Sequence, residues 1–570
     1  MTQRKVLVFG DDTRSFLTIV RSLGRAGWEV HAAPLDHTAP ALRSCYLTRV
    51  HALPGWIGTG QAWLDATEAL LRAERFDLVI PCTETSLLPL ARNRARFGQL
   101  SCLALPDDAS IETLFDKAAT RDLATRVGMP IAPGQRLSPA DDADALVARL
   151  GLPLMLKPRA SYTLDTLDAR GKVETIRDAA ELAERLAAID RSEYLAEAFF
   201  PQGGTGHGVG LSVLADQGQV VLEFAHRRIR ETSAGGSYYR VSIPADPEMR
   251  ARVAAMLAEL RFTGVAMFEF RASDQDGSWV LLEVNARPWG SMPLPVALGV
   301  DFPKAWARLL LEGMRPDPVA YRHGVYGRNF LPDAVDLGHA VLPPRAGSLR
   351  RLVAWLAEFP RLLIGREHWD VLVADDPRPG LIELATKLRD LASGLGAKLP
   401  GASRLRRNRA HAALRRAVRQ PNGAVPVLEF VCAGNICRSP FAAQALAARL
   451  AGHGVSVRSS GTLPRPGRPT PEEGLIAARD LGIDLTDHRS AYFNEDRAAA
   501  ADLVLAFDER NVQALTRRFP HLAGRIVLLG DFDQSGRIAD PWGGPVVVFA
   551  ACYDRISRAI TALAAEIASG

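Results

Sequence analysis

The stretch that most restricts how this chain folds is Val431-Cys432-Ala433-Gly434-Asn435-Ile436-Cys437-Arg438-Ser439-Pro440. It follows an apolar, strand-like segment, Val425–Phe430, and precedes Phe441–Leu450, a helix by propensity and period. A strand, a tight turn and a helix start create a concave row of backbone N–H groups that favours an anion. Cys432 falls at the strand end and Arg438 six residues on, where the loop closes. Gly434 is expected to supply a backbone conformation with φ > 0, and Asn435 to hold the loop by local hydrogen bonds. The pattern suits a nucleophilic thiolate beneath a phosphate. The helix start and Arg438 favour the thiolate, Arg438 grips two phosphate oxygens, and Ser439 donates to the thiolate or the leaving thiol.

Cys-x-Gly-Asn-x-Cys-Arg-Ser-Pro resembles the signature loop of the low-molecular-weight protein tyrosine phosphatases, and the likeness runs over roughly residues 425–568. It implies a phosphocysteine intermediate, a phosphate cradle formed by Gly434, Asn435, Ile436 and Cys437, and a phosphotyrosine protein or small aryl phosphate as substrate, with no cofactor. It further suggests a reversible disulfide between Cys437 and Cys432 that protects the nucleophile. Ala539-Asp540-Pro541-Trp542-Gly543 looks like the family's general-acid loop. Departure of a phenolate needs a proton, which Asp540 would supply, and Trp542 can stack on a substrate ring. His488 is expected to be structural. Arsenate reductases share this fold and loop, but their chemistry needs further shuttle cysteines, and only Cys552 follows.

The N-terminal part reads differently. Strands over 4–10, Glu29–Pro34, Asp77–Pro81 and Leu103–Pro106 alternate with helical stretches, which predicts a small parallel sheet. The first turn lacks Gly-x-Gly-x-x-Gly, so no dinucleotide site is expected. Lys117 opens a helix, and Lys157 ends the apolar strand Leu152–Pro158, where a lysine is costly unless an anion meets it. Glu269 and Glu283 lie symmetrically about Asp276-Gly277, a hairpin signal, so they should face each other, with Asn285 on the same face. Two carboxylates and an amide oxygen so placed repel unless a cation joins them, and oxygen ligands suit Mg²⁺.

Lys117, Lys157, Glu269 and Glu-x-Asn-x-Arg in this order make residues 1–320 resemble the ATP-grasp superfamily, closest to its carbamoyl-phosphate-synthase-like and carboxylate–amine-ligase branches. That resemblance implies that Lys117 and Lys157 hold nucleotide phosphates and that Glu197 lies in the adenine-binding hinge. It makes Glu269, Glu283 and Asn285 the ligands of Mg²⁺ (or Mn²⁺), and Arg287 the group facing the transferred phosphoryl or the acceptor. It implies ATP as cosubstrate and small-molecule carboxylate and amine substrates. Relatives carry a glycine-rich flap after the strand lysine, whereas Arg159–Gly171 lacks clustered glycines. The alternative is a non-catalytic nucleotide sensor that controls the phosphatase.

The whole is expected to be an α/β and α+β multidomain protein. Residues 1–112 would form a Rossmann-like subdomain, 113–320 the ATP-grasp domain, 321–390 a mostly helical extension and 391–424 a solvated basic linker with a helix in its middle. Residues 425–570 would form an α/β phosphatase with a four-stranded parallel sheet. The net charge of +5 misleads: residues 391–428 hold Lys398 and seven arginines with no acid, and removing those eight charges leaves −3. No nucleic-acid surface is therefore expected. Six scattered cysteines exclude a disulfide framework, and no apolar run is long enough to span a bilayer. A cytoplasmic location follows as the expectation, with the amphipathic stretch 350–364 packing on the ligase module.

Overall fold

Continuous apolar runs closed by turn residues make strands buried on both faces. Lys5–Phe9 (β1), Glu29–Ala33 (β2), Arg49–Val50 (β3), Leu78–Pro81 (β4) and Cys102–Leu103 (β5) form the expected parallel sheet, ordered β3-β2-β1-β4-β5. The helix Ser15–Arg25 is started by Asp12, whose carboxylate accepts from the N–H groups of Arg14, Ser15 and Phe16. It buries Phe16, Ile19, Val20 and Leu23, one apolar stripe facing the sheet. This computed structural model describes residues 3–56, 59–164, 167, 171–201, 204–232, 236–342, 347–396, 402–463 and 466–569. Most of the flap segment between Asp165 and Arg170, together with Gly235 and Lys398, lies outside the described residues.

The chain resolves into two units, residues 1–54 with 60–385, and residues 386–570 with 55–59. In the first, Gly134–Arg136 (β6), Leu154–Pro158 (β7), Glu174–Ile176 (β8) and Tyr194–Ala198 (β9) make a small antiparallel sheet. A larger sheet follows. Its strands are Gly206–Asp216 (β10), Gln219–Glu231 (β11), Ser237–Ile243 (β12), Gly264–Ser273 (β13), Trp279–Asn285 (β14), Tyr326–Arg328 (β15) and Glu367–Trp369 (β16). They are ordered β14-β13-β10-β11-β12-β15-β16, antiparallel except for the last pair. The helices Ser348–Leu356 and Pro360–Leu363 lie at the far end of this sheet, but the expected packing of the 350–364 stretch is only partial: Trp355 and Phe359 turn toward Arg328, while Val353, Leu356, Leu363 and Ile364 stay exposed. Arg328, fully buried, explains how they hold. Its guanidinium pairs with Asp333, with Glu358 (2.7 Å) and with Glu367 (2.7 Å), among the rings of Tyr239, Trp355 and Phe359. A buried cation so enclosed is costly to orphan.

In the second unit Val427–Cys432 (β17), Ser456–Gly461 (β18), Leu503–Ala506 (β19) and Ile526–Leu528 (β20) form the expected four-stranded parallel sheet, ordered β18-β17-β19-β20. The loop after β17, a central strand, leads into the helix Arg438–Arg449. Phe441 stacks on Tyr553 of the C-terminal helix Val546–Ser569 at 4.0 Å between ring centroids.

The basic stretch corrects an expectation. Rather than a solvated linker, Ala402–Arg419 is a helix with one face built into the core of this unit. Ala410, Leu414 and Ala417 recur at helical spacing and are buried, while Arg406 meets Asp531 (3.7 Å) and Arg415 meets Glu566 (3.2 Å). The count of arginines concealed three small apolar side chains that decide the packing. Among the described residues no helix is long and apolar enough to cross a membrane. Leu414→Ala is expected to cost about 2–5 kcal/mol of stability. The check is a lowered denaturation midpoint read from the signals of this unit.

Candidate active sites

β17 delivers Cys432 to the sheet's C-terminal edge, and the next turn wraps N–H groups around it. The Asn435 N–H donates to Cys432 Sγ (3.2 Å), and Ser439 Oγ lies 3.1 Å from the same sulfur. The residue with positive φ is Asn435 (52°), not Gly434 as expected. Asparagine tolerates this conformation because its side chain bonds locally. Here Nδ2 donates to Ser439 Oγ (2.9 Å) and Ser459 Oγ (3.0 Å), while Oδ1 accepts the Ala491 N–H (2.7 Å). Its carbonyl meets His488 Nε2 at 2.7 Å, so His488 supports the loop as expected. At Gly434 a Cβ would crowd Arg468 Nη2 at 3.2 Å.

Arg438, almost fully buried, is aimed by Asp508 (2.7 Å to Nη1) and the Ile538 carbonyl (3.0 Å). Asp540 reaches its Nη2 at 2.7 Å. Burial opposes the guanidinium charge, but Cys432, Asp540 and Asp508 together raise its pKa above the ordinary value. Cys432, Arg438, Ser439 and Asp540 are thus brought together, and the Trp542 ring stands 62% exposed two residues beyond the acid. Burial raises the Cys437 thiol well above its usual range, with Cys432 and Asp540 adding to the effect, and pushes Cys552 up to about 12. Ile436 is buried in the same loop. Sequence reasoning passed over Asp508 as a site residue. The available signal was an acid at the end of a buried strand with Asn511 three residues on, whose N–H it caps (2.8 Å).

In the first unit, Lys117, Glu197, Glu283, Asn285 and Arg287 line one cavity, five of the seven residues expected around nucleotide and metal. Lys157 is buried on β7 and pairs with Glu197 on β9, which also binds Arg121 Nη1 (2.8 Å). The anion that repays burial of this lysine is therefore a carboxylate of the protein. Lys117 Nζ donates to Ser161 Oγ (3.0 Å). Glu269 and Glu283 do oppose each other across β13 and β14, beside a register shift at Phe270. The cation on Glu269 is Arg228, with Nη2 2.6 Å from it, and Asn285 donates to the same carboxylate (3.1 Å). Arg287 pairs with Glu84 (2.8 Å); burial opposes its charge, but Glu84, Glu283 and Asp12 raise its pKa. Arg228, Arg121 and Glu84 escaped the sequence reading because only the fold carries them to these partners. Among the described residues no group of three or more His, Cys, Asp or Glu gathers around a metal position. The donor set of Glu269, Glu283 and Asn285 is all oxygen and amide, which fits a hard cation whose other ligands are phosphate oxygens.

A parallel sheet with a Cys-x₅-Arg loop at the end of a central strand, an arginine aimed into it and an aspartate at its mouth define a cysteine-dependent phosphatase. Residues 427–570 match the family described as low molecular weight phosphotyrosine protein phosphatase, and this part of the chain belongs to that family. Residues 205–329 match the family described as ATP-grasp in the biosynthetic pathway with Ter operon, so the chain joins an ATP-grasp module to a phosphatase. The protein is similar to the low molecular weight protein-tyrosine-phosphatase EpsP of Ralstonia nicotianae, 34% identical over 23% of this chain and 89% of the relative. It is similar to the same degree, 34%, to the protein-arginine-phosphatase of Geobacillus stearothermophilus, over 24% of this chain and 93% of that protein. Among solved structures, the biotin carboxylase domain of the 2-oxoglutarate carboxylase of Hydrogenobacter thermophilus, solved with MgADP, is 19% identical with a TM-score of 0.45. It covers 57% of this chain and 73% of that one.

Asn435 carries both the positive φ and three side-chain bonds within the loop network. Asn435→Gly is expected to keep the backbone and lose the bonds, and Asn435→Ala to lose both. Thermal midpoints should fall in the order wild type, glycine, alanine.

Proposed function

We propose that the C-terminal unit hydrolyses an aryl phosphate monoester, on tyrosine of a protein or on a small molecule, through a phosphocysteine at Cys432. The observation that carries this reading is the Asn435 N–H donated to Cys432 Sγ (3.2 Å), with Ser439 Oγ 3.1 Å from the same sulfur, beside an arginine fixed by Asp508. Donors on the sulfur favour a thiolate, and the same loop presents N–H groups to the phosphoryl oxygens. Arg438 offers a planar pair of N–H groups to two of those oxygens, a grip an ammonium does not reproduce. Attack by the sulfur breaks the P–O bond to the leaving oxygen, which takes a proton from Asp540. Water then cleaves the S–P bond, with Asp540 accepting its proton. The exposed Trp542 supplies a flat apolar surface beside the acid, which favours an aromatic leaving group over a phosphoguanidinium.

The ATP-grasp unit is read as an ATP- and Mg²⁺-dependent ligase that activates a carboxylate for capture by an amine. Glu269, Glu283 and Asn285 would hold the metal, which screens phosphate charge when bound. Lys117 and Lys157 serve the phosphates, Glu197 lies at the nucleotide's hinge side, and Arg287 faces the acceptor. Support comes from the cavity that collects five of these residues. Arg228 on Glu269 offsets and orients that carboxylate.

Cys432→Ser and Arg438→Lys are expected to abolish hydrolysis of aryl phosphates while leaving ATP binding intact. Asp540→Asn should slow phenyl phosphate more than nitrophenyl phosphate, because an activated phenolate needs less help from a proton. Equal losses would mean that Asp540 positions the loop instead. Faster turnover of phosphoarginine than of phosphotyrosine would overturn the aryl assignment. For the other unit, Glu283→Gln should strongly reduce ADP release stimulated by carboxylate and amine pairs; normal turnover in that variant would remove the metal role. ATP binding by the wild type without turnover would favour a nucleotide sensor.

A further inference from the structure

One peptide group at the lip of the Cys432 loop is gripped at both ends. The trans peptide from Gly434 to Asn435 points its carbonyl and its N–H in opposite directions. The N–H donates to Cys432 Sγ (3.2 Å), while the carbonyl accepts from Arg468 Nη2 (3.1 Å). This guanidinium comes from a different segment from Arg438, and its backbone is held in place. The Arg468 N–H donates to Ser490 Oγ (2.9 Å), its carbonyl accepts the Ser490 N–H (2.8 Å), and the Gly467 N–H donates to the Ser490 carbonyl (2.7 Å). Ser490 lies between His488 and Ala491, which bind the Asn435 carbonyl and side chain. A single segment thus supports the loop directly and carries the arginine that supports it indirectly.

The charge on Arg468 is electrically coupled to the site. Burial lowers its pKa, and Cys437 and then Cys432 act in the opposite sense. The neighbouring peptide offers a contrast. Its carbonyl, that of Asn435, is served by His488, which burial keeps toward the neutral form. A neutral donor polarises a peptide less than a cation does.

We propose that Arg468 is a positioning residue that stabilises the Cys432 thiolate through the Gly434–Asn435 peptide. A cation on the carbonyl polarises the peptide and strengthens the hydrogen bond that its N–H gives to the sulfur. The proposal rests on Cys432 as the nucleophile, and it assigns Arg468 no contact with the phosphate. That separates it from Arg438, whose loss removes the phosphate grip itself.

The test is alkylation of Cys432 by iodoacetamide in the full-length chain, followed site by site by mass spectrometry from about pH 4 to about pH 10. Arg468→Met keeps the stem and removes the donors; Arg468→Lys keeps the charge. In the methionine variant the rate at the acid end should fall roughly threefold to tenfold, with the alkaline plateau unchanged. The lysine variant should recover most of the loss, and kcat/KM for an aryl phosphate should follow the same pH-dependent pattern. Superimposable profiles for wild type and Arg468→Met would overturn the proposal. So would equal losses in the two variants, which would mean that guanidinium packing matters rather than charge. A wild type in which Cys432 resists alkylation at every pH would instead bring down the nucleophile assignment on which the proposal stands.

Discussion

Hydrogen bonds converging on one sulfur atom organise the second unit. To bring an N–H onto Cys432 the backbone turns through a left-handed residue, and only a side chain able to bond in several directions makes that turn stable. Asn435 does so through Ser439, Ser459 and Ala491, and so ties the loop to β18 and to the segment after His488. The carbonyls displaced to the outside by this turn need donors, which Arg468 and His488 supply. The loop is therefore the visible part of a network reaching three segments distant in sequence, with Asp508 bracing Arg438 from a fourth.

The first unit solves a different electrostatic problem. Charged side chains cluster in and around one cavity, and nearly every one has an opposite partner at hydrogen-bond distance: Lys157 and Arg121 on Glu197, Arg228 on Glu269, Arg287 on Glu84. Such pairing compensates the desolvation that buried ions suffer, and it fixes their directions. A charged ligand entering such a cavity would exchange partners with these pairs. Discrimination then rests on whether an incoming ligand matches the geometry that the internal pairs already hold.

Much of this was legible in the residues, and the failures share a cause. The parallel sheets could be read because continuous apolar runs such as Lys5–Phe9 and Val427–Cys432 allow little else. The Glu269–Glu283 pairing could be read because a hairpin imposes its own symmetry about the turn. Arg228, Arg121, Glu84, Asp508 and Arg468 act on groups far along the chain, and no local period announces a partner brought by tertiary folding. Gly434 attracted the expectation of a positive φ because glycine is permissive, whereas the conformation went to the residue with side-chain bonds to stabilise it. The packing of the helix Ala402–Arg419 was concealed for another reason, since charge dominates composition while a few alanines and a leucine dominate contact.

That helix has a practical consequence. The family likeness begins at residue 427, and a boundary drawn there would seem natural to anyone excising the phosphatase. Such a fragment would lack the side chains of Ala410, Leu414 and Ala417 and would present to water the apolar surface they cover. The unit that can be inherited, expressed or transplanted as a working piece therefore starts before residue 402. In this protein the interior of the phosphatase unit is closed in part by chain that lies ahead of the family likeness.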